Sequence, residues 1–241
     1  MHDWAGWLLL LLSFSIVLMW KSIRDDTKVV HAIWFCLVLH HAVVFLNVYI
    51  PDADTFHKHA TLLAASFEPE WTVGVGSGFG TYKSFLGFFY HVFGASRFLG
   101  AELSVLAFTL SCVVLVKLVD FLDLRRFRVG IVLFFGLLPS AVIFRSVTLR
   151  ESWQALFFLL FVYWAIRLWK RPSILIISLL IMSAFCLALL HRALALYAIC
   201  MIIISVYWGV VSRKKGVRWT RQVRFSFAGL LVACVIMLTQ K

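Results

Sequence analysis

Acidic side chains are scarce in this chain: 11 of its 241 residues are Asp or Glu, against 23 Lys or Arg. Charged residues of both signs reach only 14%, where a soluble domain carries about a quarter. So little charge excludes an ordinary soluble domain. The five cysteines (Cys36, Cys112, Cys186, Cys200, Cys234) all lie inside apolar runs without metal-ligand spacing and read as small buried hydrophobes. No basic stretch precedes the first apolar run, "WAGWLLLLLSFSIVLMW", and no small-residue cleavage site follows it. It is expected to be a retained span rather than a removed leader. The glycines of "VGVGSGFG" have no Lys-Ser or Lys-Thr beside them, which excludes a nucleotide P-loop. Position 75 is Val, so Ser77 has no Gly-x-Ser-x-Gly frame and a serine-hydrolase elbow is unsupported. A hinge or lid is the expected role of that glycine stretch.

What the chain does have is hydrophobic length. Apolar residues make up 63%, and mean hydropathy is +0.96. Runs long enough to cross ~30 Å of hydrocarbon recur from end to end. They predict spans near 4–20, 29–50, 100–119, 129–146, 152–169, 173–190, 194–211 and 225–239. The fold class expected is an all-α polytopic membrane protein of about eight helices, forming one transmembrane domain over 1–241. A long connection, 51–99, ends in "SFLGFFYHVFG", a short aromatic run broken by Gly87 and Gly94. It is expected to form a re-entrant or interfacial helix.

The basic residues alternate between loops. Sixteen of the 23 fall in one set of connections and seven in the other. The richer set is cytoplasmic by the positive-inside rule, which puts both termini and the 51–99 loop outside. The net charge of +12 is therefore a topology signal, and no nucleic-acid groove is needed. The expected location is an integral membrane, a bacterial inner membrane, with the active face outside and the lipid bilayer as partner.

The unusual polar groups collect on that outer side. "YIPDADTFHKHATLLAASFEPEW" carries Asp52, Asp54, Glu68 and Glu70 with His57 and His59. In an extended or turn conformation Asp52 and Asp54 project to one side and could address one point. That suits divalent-metal ligation (Mg or Mn) or a general base tuned by its neighbour. The cofactor itself stays open. The bland alternative is a helix start, for which Pro-Asp-x-Asp is well suited; His57 would then lie one turn beyond Asp54. Lys83 lies in the same loop. "LLPSAVIFRSVTLRESW" follows, with Pro139 expected to kink or end a helix and Arg145, Arg150 and Glu151 at the outer edge. Paired arginines suit a phosphate or pyrophosphate; snorkelling and helix capping are the alternative. On a helix Arg150 and Glu151 point about 100° apart and need not neutralise each other. His191-Arg192 forms a third outer connection, able to relay a proton and hold a phosphate.

In their order, "DADTFHKHA" and then "YHVFGASRFLG…RRFRVGIVLFFGLLPSAVIFRSVTLRESW" resemble the polyprenyl-phosphate-sugar-dependent membrane glycosyltransferases of the GT-C type, over residues 50 to 170. The resemblance implies an enzyme that moves a sugar from a lipid-linked donor to a glycan, lipid or protein acceptor. Asp54 or Asp52 would be its base or metal-contacting acid. Arg145, Arg150 and Arg192 would hold the lipid phosphate, with Glu151, His191, His57 and Lys83 around the substrate. The alternatives are a polymerase or ligase acting on lipid-pyrophosphate-linked glycans, and a non-enzymatic transport or assembly subunit. A transporter needs ionisable groups deep in the helices, where only His40, His41 and Lys117 stand out.

Overall fold

The computed structural model describes residues 3–66, 78–170, 173–191, 194 and 197, and every regular element among them is helical. Glu68, Glu70, Gly74, Gly76 and Arg192 lie outside the described residues, as do nearly all of the expected spans 194–211 and 225–239. The elements run α1 (Trp4–Leu18), α2 (Lys21–Arg24), α3 (Thr27–Leu46), α4 (Pro51–Ser66), α5 (Gly78–Phe93) and α6 (Arg97–Phe121). After a 3-10 turn at Arg125–Phe127 come α7 (Arg128–Leu137), α8 (Pro139–Arg145), α9 (Glu151–Lys170) and α10 (Ile174–Leu190).

Three helices, α3, α6 and α9, are long and apolar enough to cross a bilayer alone. The pair from the 3-10 turn through α8 makes a fourth candidate, bent by 66°. At 15 and 17 residues, α1 and α10 are apolar but rise only about 22 and 26 Å. A count of eight spans is therefore not reached among the described residues. The 25-residue α6 is the central post, apolar on all sides and 83% buried over its hydrophobic window. It packs against α1, α3, α7 and α9, and α10 leans on α9. Exposed apolar side chains such as Ile174, Leu175, Ile181 and Phe185 on α10 face outward, as lipid contact requires.

The long connection, expected to carry juxtamembrane helices and a re-entrant or interfacial helix in its aromatic run, holds two helices among its described residues. It is a hairpin: α4 and α5, 16 residues each, pack on one another. Each rises about 24 Å, less than the hydrocarbon thickness. Gly87 does not break α5. A Cβ there would come within 3.2 Å of Leu63 Cβ, so it marks the close approach of α4 and α5. Gly94, at φ 92°, does end the helix, in the left-handed region that favours glycine. Gly78 and Gly80 belong to the first turn of α5 rather than to a lid.

Pro139 behaves as expected and explains Arg145. Residue 139 has no N–H to give the carbonyl of Phe135, four residues back, so that buried acceptor loses its helical partner. Arg145 Nη1 donates to it at 3.0 Å, and the guanidinium lies 3.9 Å over the Phe135 ring. Arg145→Met is expected to lower thermal stability by about 1–3 kcal/mol through the orphaned carbonyl. On a Pro139→Ala background the loss shrinks by about 1 kcal/mol, since residue 139 then supplies an N–H. Unfolding midpoints of the two single variants and the double variant measure that coupling.

Candidate functional site

Pro51 occupies the first position of α4, where its fixed φ suits a helix start. That start decides the fate of the acid pair. On a helix, residues i and i+2 point about 200° apart. Asp52 and Asp54 therefore cannot converge on one point as an extended segment would allow. Asp52 is exposed, and Asp54 turns inward with its side chain only 10% exposed. The shared-ligand geometry is lost, and no cluster of three or more His, Cys, Asp or Glu suited to a metal occurs among the described residues.

Asp54 has cationic partners instead. Lys58, one turn along, reaches it at 2.8 Å, and Arg97 at the start of α6 bonds its other oxygen. The Lys58 hydrogen bond, joined by the charges of Lys58 and Arg97, holds the Asp54 carboxyl below its ordinary range. His57 lies beside it, as the helical spacing predicted. Its Nδ1 is 2.9 Å from the Tyr90 hydroxyl, a hydrogen bond that the neutral imidazole accepts in its Nε2–H tautomer. Half-burial, with the nearby Arg97 charge, lowers the His57 pKa from 6.5 and favours that neutral form. Tyr90 in turn is fixed by α6: a Cβ on Gly100 would lie 2.5 Å from its oxygen and 2.7 Å from Thr148 Oγ1. Only glycine leaves room for this contact.

Because folding lowers the His57 pKa, the stability linked to its neutral form is complete above 6.5 and lost as pH falls through the folded value. Thermal midpoints are therefore expected to hold above pH 6.5 and to fall as pH is lowered below it. His57→Gln should show a smaller drop. Equal drops in both would contradict the assignment.

Asp54, His57, Arg97 and Thr148 border a cavity of about 340 Å³, within the ~300–1,000 Å³ of small-molecule sites. Its walls come from the end of α3 (Val44, Phe45), the first turns of α4 (Asp54, His57) and α6 (Arg97, Phe98), and the 146–148 segment. Asp3, before α1, closes one side. Connections 47–50, 94–96 and 146–150 thus meet at one end of the bundle, while 21–28 and 122–128 meet at the other. At that opposite end Arg128 joins Asp26, at 3.2 Å, and Asp120.

Phosphate-holding arginines were expected at 145, 150 and 192. Arg145 is buried, turned to Phe135 and absent from the cavity wall. Arg150 donates to the Leu190 carbonyl at 3.4 Å and sits 3.9 Å from Glu151. The adjacent pair thus does associate, because Arg150 precedes α9 and is not held to the helical 100° offset. His191 caps α10 in an extended conformation, and its backbone N–H bonds Leu187. Neither these groups nor Lys83 line the cavity. Among the described residues the Lys or Arg that does is Arg97, which the sequence marks only as one of the seven basic residues in the less basic set of connections. Its one sequence signal was its place after Ser96, whose side chain accepts from Leu99 N–H to start α6.

The fold and cavity define a class: a multi-helix membrane protein with a cavity of mixed polar and apolar lining at one end. Compared with family models, with curated proteins and with solved structures, the chain matches none.

Proposed function

We propose that the chain is a membrane glycosyltransferase, taking a sugar from a polyprenyl-phosphate donor at the cavity end, which faces outside. The observation that carries this reading is the meeting of Asp54, His57 and Arg97 in one cavity at the edge of an apolar bundle. The cavity wall suits a lipid. Phe45 and Phe98 stack at 5.7 Å and both contact Trp7, whose indole is about half exposed beside lipid-facing residues. Amphipathic rings at such a position mark the headgroup level.

The chemistry follows from the ion pair. Arg97 binds Asp54 while the cavity is free, and its planar fork is equally suited to a phosphate. A donor phosphate that draws Arg97 away leaves Asp54 more basic. The carboxylate then takes the acceptor hydroxyl's proton as the acceptor oxygen bonds the anomeric carbon. The bond from that carbon to the phosphate oxygen breaks, and its electron pair leaves with the lipid phosphate. Arg97 stabilises the charge that collects there. Neutral His57 holds the acceptor side through its free face. The acceptor is a glycan, lipid or protein hydroxyl.

Purified protein in lipid nanodiscs, given a radiolabelled sugar on polyprenyl phosphate and a mixed glycan acceptor, is expected to release polyprenyl phosphate and label the acceptor. Turnover with polyprenyl-pyrophosphate-linked oligosaccharides alone would favour a polymerase or ligase. No turnover with either donor contradicts the proposal.

A further inference from the structure

Glu102 lies in the middle of the apolar run "FLGAELSVLAF" and is fully buried in α6. Its Oε1 is 3.0 Å from Nδ1 of His41 on α3, 61 residues away in sequence. The imidazole of His41 stacks on Phe14 of α1, with ring centroids 5.4 Å apart, so three helices enclose the pair. Glu102 Oε2 and His41 Nε2 have no hydrogen-bond partner among the described residues, nor does Ser13 Oγ next to Phe14. An ionisable pair inside a membrane bundle is costly and is a functional site by default.

The structure assigns His41 and Glu102 as an intramembrane proton site beneath the cavity, whose titration gives the cavity floor a pH-dependent charge. The position follows from the chain. Glu102 directly succeeds Ala101 and His41 precedes Val44 by one turn, and both Ala101 and Val44 line the cavity. One proton shared between them makes the pair neutral, either as acid and imidazole or as carboxylate and imidazolium. A second proton makes it cationic, and loss of the first makes it anionic. Either change places a full charge under the bound ligand, where the low dielectric magnifies its effect.

Neighbouring charges are few. The described α1 has no ionisable side chain, and α8 supplies Arg145, which faces Phe135. From α3 comes His40, bonded to the Cys36 carbonyl at 2.8 Å and stacked on Phe108. Glu151 of α9 exerts its charge on Tyr82. The ionisable groups of α2, α7 and the 3-10 turn (Lys21, Arg24, Arg128, Arg125, Arg126) sit at the opposite end, as do Arg167 and Lys170 of α9. The inference stands apart from the transferase reading, since a proton site serves transport chemistry equally.

The chain has four glutamates, Glu68, Glu70, Glu102 and Glu151, so a sample labelled with carboxyl-13C glutamate gives few signals to resolve. In nanodiscs, the resonance lost on Glu102→Gln is expected to move with pH between about 4 and 10, and His41→Gln to shift its midpoint by at least one pH unit. Glu102→Asp also removes the signal while keeping a carboxyl, which secures the assignment if the amide variant does not fold. A Glu102 resonance constant over that range in the wild-type protein, or a midpoint untouched by His41→Gln, overturns the assignment.

Discussion

If the proposed transfer occurs, Asp54→Asn is expected to lower it by about 10²–10⁴-fold, the usual contribution of a positioned general base, while Asp52→Asn is expected to stay within about twofold, as an exposed substitution should. The contrast rests on α4 beginning at Pro51. One acid of the pair is thereby turned into the cavity and its neighbour toward solvent. Asn keeps the shape of Asp54 but cannot take a proton, and it no longer attracts Lys58 and Arg97 as a charge. Donor affinity therefore holds or improves as turnover falls. Initial rates and donor KM for the two variants separate these effects. Equal losses at positions 52 and 54 would restore the reading in which both carboxylates act on one point.

On the proposed reaction, Arg97→Ala is expected to lower kcat/KM by about 10²–10³-fold, the cost of removing one fixed group from a developing anion. Arg97→Lys recovers part of the loss, because an ammonium supplies charge without the planar fork. A pH profile gives a second signature. Lys58 is the larger cause of the low Asp54 pKa, with Arg97 adding its charge. Removing Arg97 raises that pKa, so the acid limb of the rate profile moves to higher pH. Arg145→Met, compared at a temperature where it is folded, leaves that limb in place, because its guanidinium faces Phe135 rather than the cavity.

The parts of this architecture that were legible in the sequence are those set by local chemistry. Apolar length located α1, α3, α6, α9 and α10, and Pro139 located the break between α7 and α8. The spacing of Asp54 and His57 placed both on one side of a helix that Pro51 starts. The parts that were not legible depend on contacts far apart in the chain. Arg97 meets Asp54 across 43 residues, and Glu102 meets His41 across 61. No periodicity announces such pairs. Nor could spacing say that Arg145 turns inward, since that follows from a carbonyl orphaned by a proline. Gly87 was misread because a glycine that allows two helices to touch and one that ends a helix look alike until the neighbour is known.

The central claim is that a lipid phosphate seats at Arg97. A photoreactive polyprenyl-phosphate probe, crosslinked in nanodiscs and mapped by peptide mass spectrometry, tests it most directly. The account predicts labelling within residues 43–58 and 96–101, competed by unlabelled polyprenyl phosphate and lost in Arg97→Ala. Labelling that persists unchanged in Arg97→Ala, or that falls at the opposite end around residues 21–28 and 125–128, would contradict it.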